Sequence, residues 1–209
     1  AVGDVNKDGV DEIITAPMAG GGPHIRVFDM NGKMISEFFV YEHDFYGGVN
    51  VALGDVNKDG AEEIVVAPMS NHSPEIKVYT YNNRRKSSFF AYGADMISGV
   101  KISVADVNND SWPEIVTVPS KNHAPDVKMF SIRGRLKGQF TAYSKSLTSG
   151  ISILARDISG DKMPEILTLP SKGSAALLES YDSKGLEKDS FYLRDPEDKN
   201  GYNFEMLGV

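Results

Sequence analysis

The sequence predicts an all-β fold: a β-propeller with four blades of four antiparallel strands in this chain, forming part of a larger propeller. Three observations predict it. Asp4, Asp55, Asp106 and Asp157 stand 51 residues apart each time, without an insertion, a period close to known blade lengths and long for one coil of a solenoid. Each period holds four short runs that alternate or are β-branched, and none with helical spacing. Apolar columns also recur on both faces of the third run: Ile25, Ile76, Val127 and Leu178 in one, Phe28, Tyr79, Phe130 and Tyr181 in the other. Residues three apart on a strand point to opposite faces, so this run is apolar on both sides, as a sheet packed between two neighbours requires. Phe38, Phe89, Phe140 and Phe191 make a third column.

The repeats run over residues 1–47, 48–98, 99–149 and 150–200, with 201–209 read as a terminal strand. The second shows the elements in order. Residues 48–54 (Gly-Val-Asn-Val-Ala-Leu-Gly) alternate and read as the first strand. A polar turn fills 55–63, and residues 64–67 (Ile-Val-Val-Ala) form a short buried strand ending at Pro68. After a polar loop, residues 75–81 alternate again, 82–85 (Asn-Asn-Arg-Arg) turn, and 88–92 (Ser-Phe-Phe-Ala-Tyr) form the fourth strand.

Bulk properties exclude several function classes. The 209 residues are enough to bury a substantial core, and an apolar share of 41% argues against disorder. A net charge of −7 argues against nucleic acid as a partner, since that would favour a basic face. No apolar run reaches the roughly 18 residues of a membrane helix, so membrane insertion is not expected. The sequence has no cysteine, hence no disulfide and no thiolate metal site. Ala1 lies in mid-motif without a signal peptide, which reads as a piece of a longer secreted chain.

The invariant part of each period is a nine-residue loop: DVNKDGVDE, DVNKDGAEE, DVNNDSWPE and DISGDKMPE. Oxygen side chains fall at positions 1, 3 and 5, and Glu closes each at position 9. Spaced oxygens on a tight turn, a backbone carbonyl at position 7 and a closing carboxylate are the donor set of a hard cation such as Ca²⁺. The candidate ligands are Asp4, Asn6, Asp8, Val10 and Glu12; Asp55, Asn57, Asp59, Ala61 and Glu63; Asp106, Asn108, Asp110, Trp112 and Glu114; and Asp157, Ser159, Asp161, Met163 and Glu165. Val10, Ala61, Trp112 and Met163 enter through their carbonyls. Up to four calcium ions, one per repeat, are expected. One such loop is ordinary turn chemistry; four in register are a design. In the last two loops the position-6 Gly becomes Ser111 and Lys162. A left-handed backbone there costs a non-glycine residue roughly 1 kcal/mol, so the fourth loop, which also has Ser159 for Asn, is expected to bind least tightly.

These residues carry a resemblance. The segment from Gly48 to Pro68 resembles the FG-GAP repeats of integrin α-subunit propellers and their bacterial relatives. The "AP" of that motif stands at 16–17 and 67–68, and Val-Pro and Leu-Pro replace it at 118–119 and 169–170. The resemblance covers nearly the whole chain and is most specific in the first two repeats. It implies calcium ions that brace loops within blades, and no enzymatic activity. Members of the family bind proteins or sugars, or accompany secreted enzymes. The chain holds four repeats plus five residues, and Gly208 stands where a fifth loop Asp would fall. The array is therefore expected to end there within a ring of six to eight blades. A closed four-blade ring and an eight-blade ring of two copies are the alternatives.

Other motifs weigh less. Gly20-Gly21-Gly22-Pro23-His24 precedes a strand rather than the helix that a phosphate cradle needs, so it reads as a blade loop. His72 and His123 share one repeat position and read as solvated loop residues. Arg84-Arg85-Lys86 and Arg133-Gly134-Arg135 fall on hairpin turns, where charge protects sheet edges. Asn71-His72-Ser73 and Asn109-Asp110-Ser111 fit the N-glycosylation pattern, the second inside a metal loop. No nucleophile elbow, HExxH helix or Walker loop is present, so no enzyme is expected. The combined reading is a secreted or cell-surface, calcium-stabilised adhesion, binding or structural scaffold with a protein or glycan ligand. The alternatives are a lectin-like propeller, an accessory domain of a secreted polysaccharide-active enzyme, and a surface-filament subunit that self-associates through open blade edges.

Overall fold

A computed structural model of the chain describes residues 1–171 and 173–197. Among the described residues, sixteen strands fall into four sheets. The first holds β1 (Val2–Gly3), β2 (Glu12–Thr15), β3 (His24–Phe28) and β4 (Met34–Phe39). The second holds β5 (Val49–Gly54), β6 (Glu63–Pro68), β7 (Glu75–Tyr79) and β8 (Arg85–Phe90). The third holds β9 (Val100–Ala105), β10 (Glu114–Pro119), β11 (Asp126–Phe130) and β12 (Leu136–Thr141), and the fourth β13 (Ile151–Arg156), β14 (Glu165–Pro170), β15 (Leu177–Tyr181) and β16 (Glu187–Tyr192). Each sheet is an antiparallel meander in sequence order, so the all-β, four-by-four reading of the sequence holds among the described residues. The expected terminal strand at 201–209 lies outside them.

Registers repeat from blade to blade. Ile13↔Phe28, Ile64↔Tyr79, Ile115↔Phe130 and Ile166↔Tyr181 are equivalent pairs. The fourth strand of each blade carries the extra residue of a bulge (Ile35, Lys86, Lys137 and Lys188), opposite the end of the third strand at Val27/Phe28, Val78/Tyr79, Met129/Phe130 and Ser180/Tyr181. The bulge explains a shift against expectation: β7 stops at Tyr79 instead of reaching 81, and β8 starts at Arg85. An extra residue on one strand bends it and ends the ladder early.

Packing between blades follows the columns. β6, β10 and β14 are buried along all six residues, the condition a strand meets only when both sheet faces are covered. One apolar cluster joins the first and second blades through Ile25, Val27, Phe38, Ile64 and Val66. Another joins the second and third through Ile76, Val78, Val100 and Ile115, and another the third and fourth through Val127, Met129, Ile151 and Ile166. The innermost strands β1, β5, β9 and β13 surround an axial cavity of about 420 Å³, lined by Val51, Leu53, Ile102, Val104 and Ile153.

One packing expectation needs correction. The Phe column is not uniformly buried: Phe38 is 4% exposed and Phe191 is 50% exposed, with Phe89 and Phe140 half-buried. The first three rings pack, tilted, against an aromatic ring of the following blade, at 5.3 Å (Phe38–Tyr79), 5.1 Å (Phe89–Phe130) and 4.9 Å (Phe140–Tyr181). Nothing among the described residues follows the fourth blade, so Phe191 faces outward. Each ring depends on its neighbour blade rather than on its own sheet.

Candidate metal centres

The four loops join the first strand of each blade to the second, so the closing Glu is the first residue of β2, β6, β10 and β14. That placement buries Glu12, Glu63, Glu114 and Glu165; of the other loop residues, Val5, Val56 and Val107 at position 2 are buried too, and the oxygen-bearing ones stay at or near the surface. Position 1 organises the turn. Asp55 accepts the Asp59 and Gly60 amides at 3.0 and 2.9 Å, and Asp106 accepts those of Asp110 and Ser111 at 3.1 and 2.7 Å. Asp4 and Asp157 do the same for Gly9 and Lys162, at 3.0 and 2.8 Å. Position 5 then accepts the position-7 amide: Val10 to Asp8, Ala61 to Asp59, Trp112 to Asp110 and Met163 to Asp161, all between 2.8 and 3.0 Å.

This turn needs two left-handed residues, at positions 4 and 6. They are Lys7 and Gly9, Lys58 and Gly60, Asn109 and Ser111, and Gly160 and Lys162, with φ between 58° and 91°. The expected strain at position 6 is real, but position 4 carries the same demand. The fourth loop meets it with Gly160, which offsets Lys162. The third loop has glycine at neither position: Asn109, which tolerates the left-handed backbone well, stands at position 4 and Ser111 at position 6.

The position-3 residue separates the loops further. Asn6, Asn57 and Asn108 each turn their amide nitrogen onto the closing carboxylate, with Asn6 Nδ2 to Glu12 Oε1 at 2.7 Å, Asn108 Nδ2 to Glu114 Oε1 at 2.6 Å, and a short contact from Asn57 to Glu63. The amide hydrogens thus lie where positive charge is wanted. Ser159 cannot reach that far, and here Asp157, Asp161 and Glu165 bring their oxygens within 4.8 Å of one another. Among the described residues this is the acidic cluster able to hold a metal ion as it stands. The loop expected to bind least tightly is therefore the one whose carboxylates already converge.

Two observations test whether a cation fits the other loops. Glu63 Oε2 and Glu114 Oε2 are buried without a hydrogen-bond partner. Burial, followed by the charges of Asp59 or Asp110, pushes both carboxyls up from 4.5 to about 7. Burial also raises Glu12. An unpartnered buried carboxylate oxygen beside further carboxylates is a site that lacks positive charge, and a divalent ion supplies it. Asp110 is held low by Lys137 at 2.8 Å, and Lys86 stands 3.7 Å from Asp59. These lysines neutralise the exposed rim and offset only part of what raises the buried Glu carboxyls.

The two histidines prove unlike. His123 is exposed. His72 packs against the rings of Tyr41 and Phe45, at 4.8 and 5.1 Å, and its Nε2 lies 3.2 Å from Glu42. His72 is part of the joint between two blades. Sequence reasoning also passed over the column Tyr41, Tyr92 and Tyr143, whose hydroxyls donate across each joint to Glu75, Asp126 and Leu177 carbonyls at 2.7 Å. Their 51-residue spacing was the available signal. Among the described residues no helix is long and apolar enough to cross a membrane.

Residues 55–117 match the family model of the FG-GAP-like repeat, so the repeat read from residues 48–68 is of that kind. No curated protein matches the sequence. Solved structures share the fold. The chain is 12% identical to the exotype rhamnogalacturonan lyase YesX (TM-score 0.59), covering 87% of this chain and 44% of that one. It is 11% identical to rhamnogalacturonan lyase YesW (TM-score 0.56; 92% and 50% covered). An Agrocybe aegerita lectin that recognises non-reducing terminal N-acetylglucosamine is 14% identical (TM-score 0.54; 92% and 52% covered). The chain spans about half the length of these structures. At such identities the likeness establishes the β-propeller fold alone.

Proposed function

We propose that the chain is a calcium-stabilised, non-enzymatic propeller segment of a secreted or cell-surface protein, serving as an adhesion, binding or structural scaffold. The observation that carries this reading is the buried, unpartnered carboxylate oxygen of Glu63 and of Glu114. Each sits at the base of a loop whose other oxygens belong to Asp and Asn. Asp4, Asn6, Asp8 and Glu12, with their counterparts in the other three loops, would hold the ions, and the position-7 carbonyls would complete the sets. A bound ion neutralises the loop and ties the first strand of a blade to the second. Loops of this composition match the millimolar calcium found outside cells better than cytosolic levels. The test is a thermal melt with chelator, with magnesium and with millimolar calcium. Calcium is expected to raise the melting temperature by several degrees, since one site at ten times its dissociation constant adds about 1.4 kcal/mol. Equal melting temperatures in chelator and calcium would sink the assignment.

A second reading, carbohydrate binding, has one feature in its favour. A groove of about 330 Å³ between the third and fourth blades is lined by Tyr143, Ser144, Ser146, Ser174 and Tyr192. Ser174 stands where His72 fills the equivalent space between the first and second blades. Hydroxyls beside an exposed ring suit a neutral sugar, and two of the similar structures are lyases of a polysaccharide while a third is a lectin. Titration with rhamnogalacturonan oligosaccharides and with N-acetylglucosamine checks it. Heats lost in Tyr192→Ala support the groove, and no heat with either class removes the reading.

A further inference from the structure

The position-5 aspartate is treated differently from loop to loop. One of its oxygens accepts the position-7 amide in every loop and belongs to the turn. The other oxygen is what separates the loops. In the first it takes a neutral donor, with Asn6 Nδ2 at 3.0 Å from Asp8 Oδ2. In the third it takes a cation: Lys137 Nζ donates to Asp110 Oδ2 at 2.8 Å. In the second, Lys86 Nζ stands 3.7 Å from Asp59 Oδ2, and Lys7 of the first loop donates to the Asp59 carbonyl. In the fourth, Lys188 lines the same space as Asp161 and Glu165, while those two converge with Asp157.

The lysines share one column, and it is the bulge column: Ile35, Lys86, Lys137 and Lys188 are the extra residues of the fourth strands. A bulge re-aims the side chain it adds. In a four-stranded meander the loop after the first strand and the hairpin before the fourth lie at the same end of the blade, so the re-aimed lysine is brought to its own blade's loop. Charge that merely guarded a sheet edge would point to water. Lys137 is instead held in a hydrogen-bonded pair, which raises the lysine and lowers Asp110. An ammonium on an oxygen that a metal would ligate has to leave it, and a divalent ion a few ångströms away repels it.

We propose that Lys137 and Lys86 are built-in counter-ions of the third and second loops. Each holds the position-5 carboxylate while its loop is empty, has to give it up when a divalent cation binds, and so lowers that loop's affinity. The proposal rests on the calcium reading of the loops and adds how they are graded. Loops with the same set of ligand types thereby take different affinities: the first, with Ile35 in the column, is not held back in this way.

The third loop can be read by itself, because Trp112 at its position 7 is the single tryptophan of the chain. Terbium(III), a hard cation that takes oxygen ligands as calcium does, is the probe on the intact protein. Tryptophan-sensitised emission reports its binding, and calcium displaces it. The part of the emission lost in Asp106→Asn belongs to this loop. Lys137→Met is expected to tighten terbium and calcium there about three-fold or more, while Lys137→Arg, which keeps the charge, stays near wild type. A lysine with a merely structural role would weaken binding when removed. Melts give a second readout: Lys137→Met should melt no higher than wild type in chelator and higher in calcium. Lys137→Gln serves in its place if circular dichroism shows the methionine variant unfolded. Folded Lys137→Met and Lys137→Gln proteins that bind terbium no more tightly than wild type overturn the proposal and leave the calcium reading standing. A wild type without sensitised emission that also melts alike in chelator and calcium removes both.

Discussion

Glu63 and Glu114 contribute to the pH behaviour of the molecule. A carboxyl whose folded pKa stands near 7, above its ordinary 4.5, favours the fold while it is protonated. The metal-free protein therefore has this contribution in full below pH 4.5 and loses it as pH rises through about 7. Calcium needs the deprotonated form, so its apparent affinity should move the other way. Melts in chelator and in calcium are expected to diverge as pH rises from about 5 to about 8, and curves that stay parallel would refute the coupling. Glu63→Gln separates the two effects. In chelator it should leave stability unchanged or raised, because the amide has no charge to bury, whereas in calcium it should remove part of the metal-dependent rise in melting temperature.

At the scale of the element, the loops and joints differ in ways that point substitutions can read. Ser111 holds φ at 68° in the loop with no glycine at either left-handed position. Ser111→Gly should stabilise the chelated protein by about 0.5–1 kcal/mol, the relief of strain exceeding the added freedom of the unfolded chain; denaturant unfolding measures it. The Phe column should be graded by its neighbours. Phe38→Ala, in the covered joint, should cost about 3–5 kcal/mol, and Phe191→Ala, on the open face, less than about 1 kcal/mol. Equal costs would mean that the rings are buried by their own sheets. His72→Ala should now cost more than His123→Ala, because His72 wedges between Tyr41 and Phe45. Sequence alone put the two histidines on one footing, since the repeat position is shared while the partners of the ring are not.

Across the whole molecule, a blade contacts its neighbours in the array, so stability should fall toward the ends, as in other repeat proteins. β6 and β10 are covered on both sides, while β16 is exposed along its length. Hydrogen exchange is expected to be slowest in β6 and β10, intermediate in β14, and fastest in β16 and β1. Uniform protection from β1 to β16 would show that the ends are covered in solution.

The sequence by itself determined the period, the four strands per blade, the positions of the acidic loops and the columns that pack. All of these are set by residues within one blade, through side-chain alternation and turn chemistry. Tertiary structure decided what depends on the angle and distance between one blade and the next. It put the Asn6, Asn57 and Asn108 amides on the closing glutamates and left oxygens of Glu63 and Glu114 without partners. It also converged the three carboxylates of the fourth loop, paired each Phe with a ring from the following blade, and left Phe191 without one. A repeat pattern fixes which residues are equivalent. The environment of equivalent residues comes from contacts more than a blade's length away along the chain, and those are set only when the blades have packed.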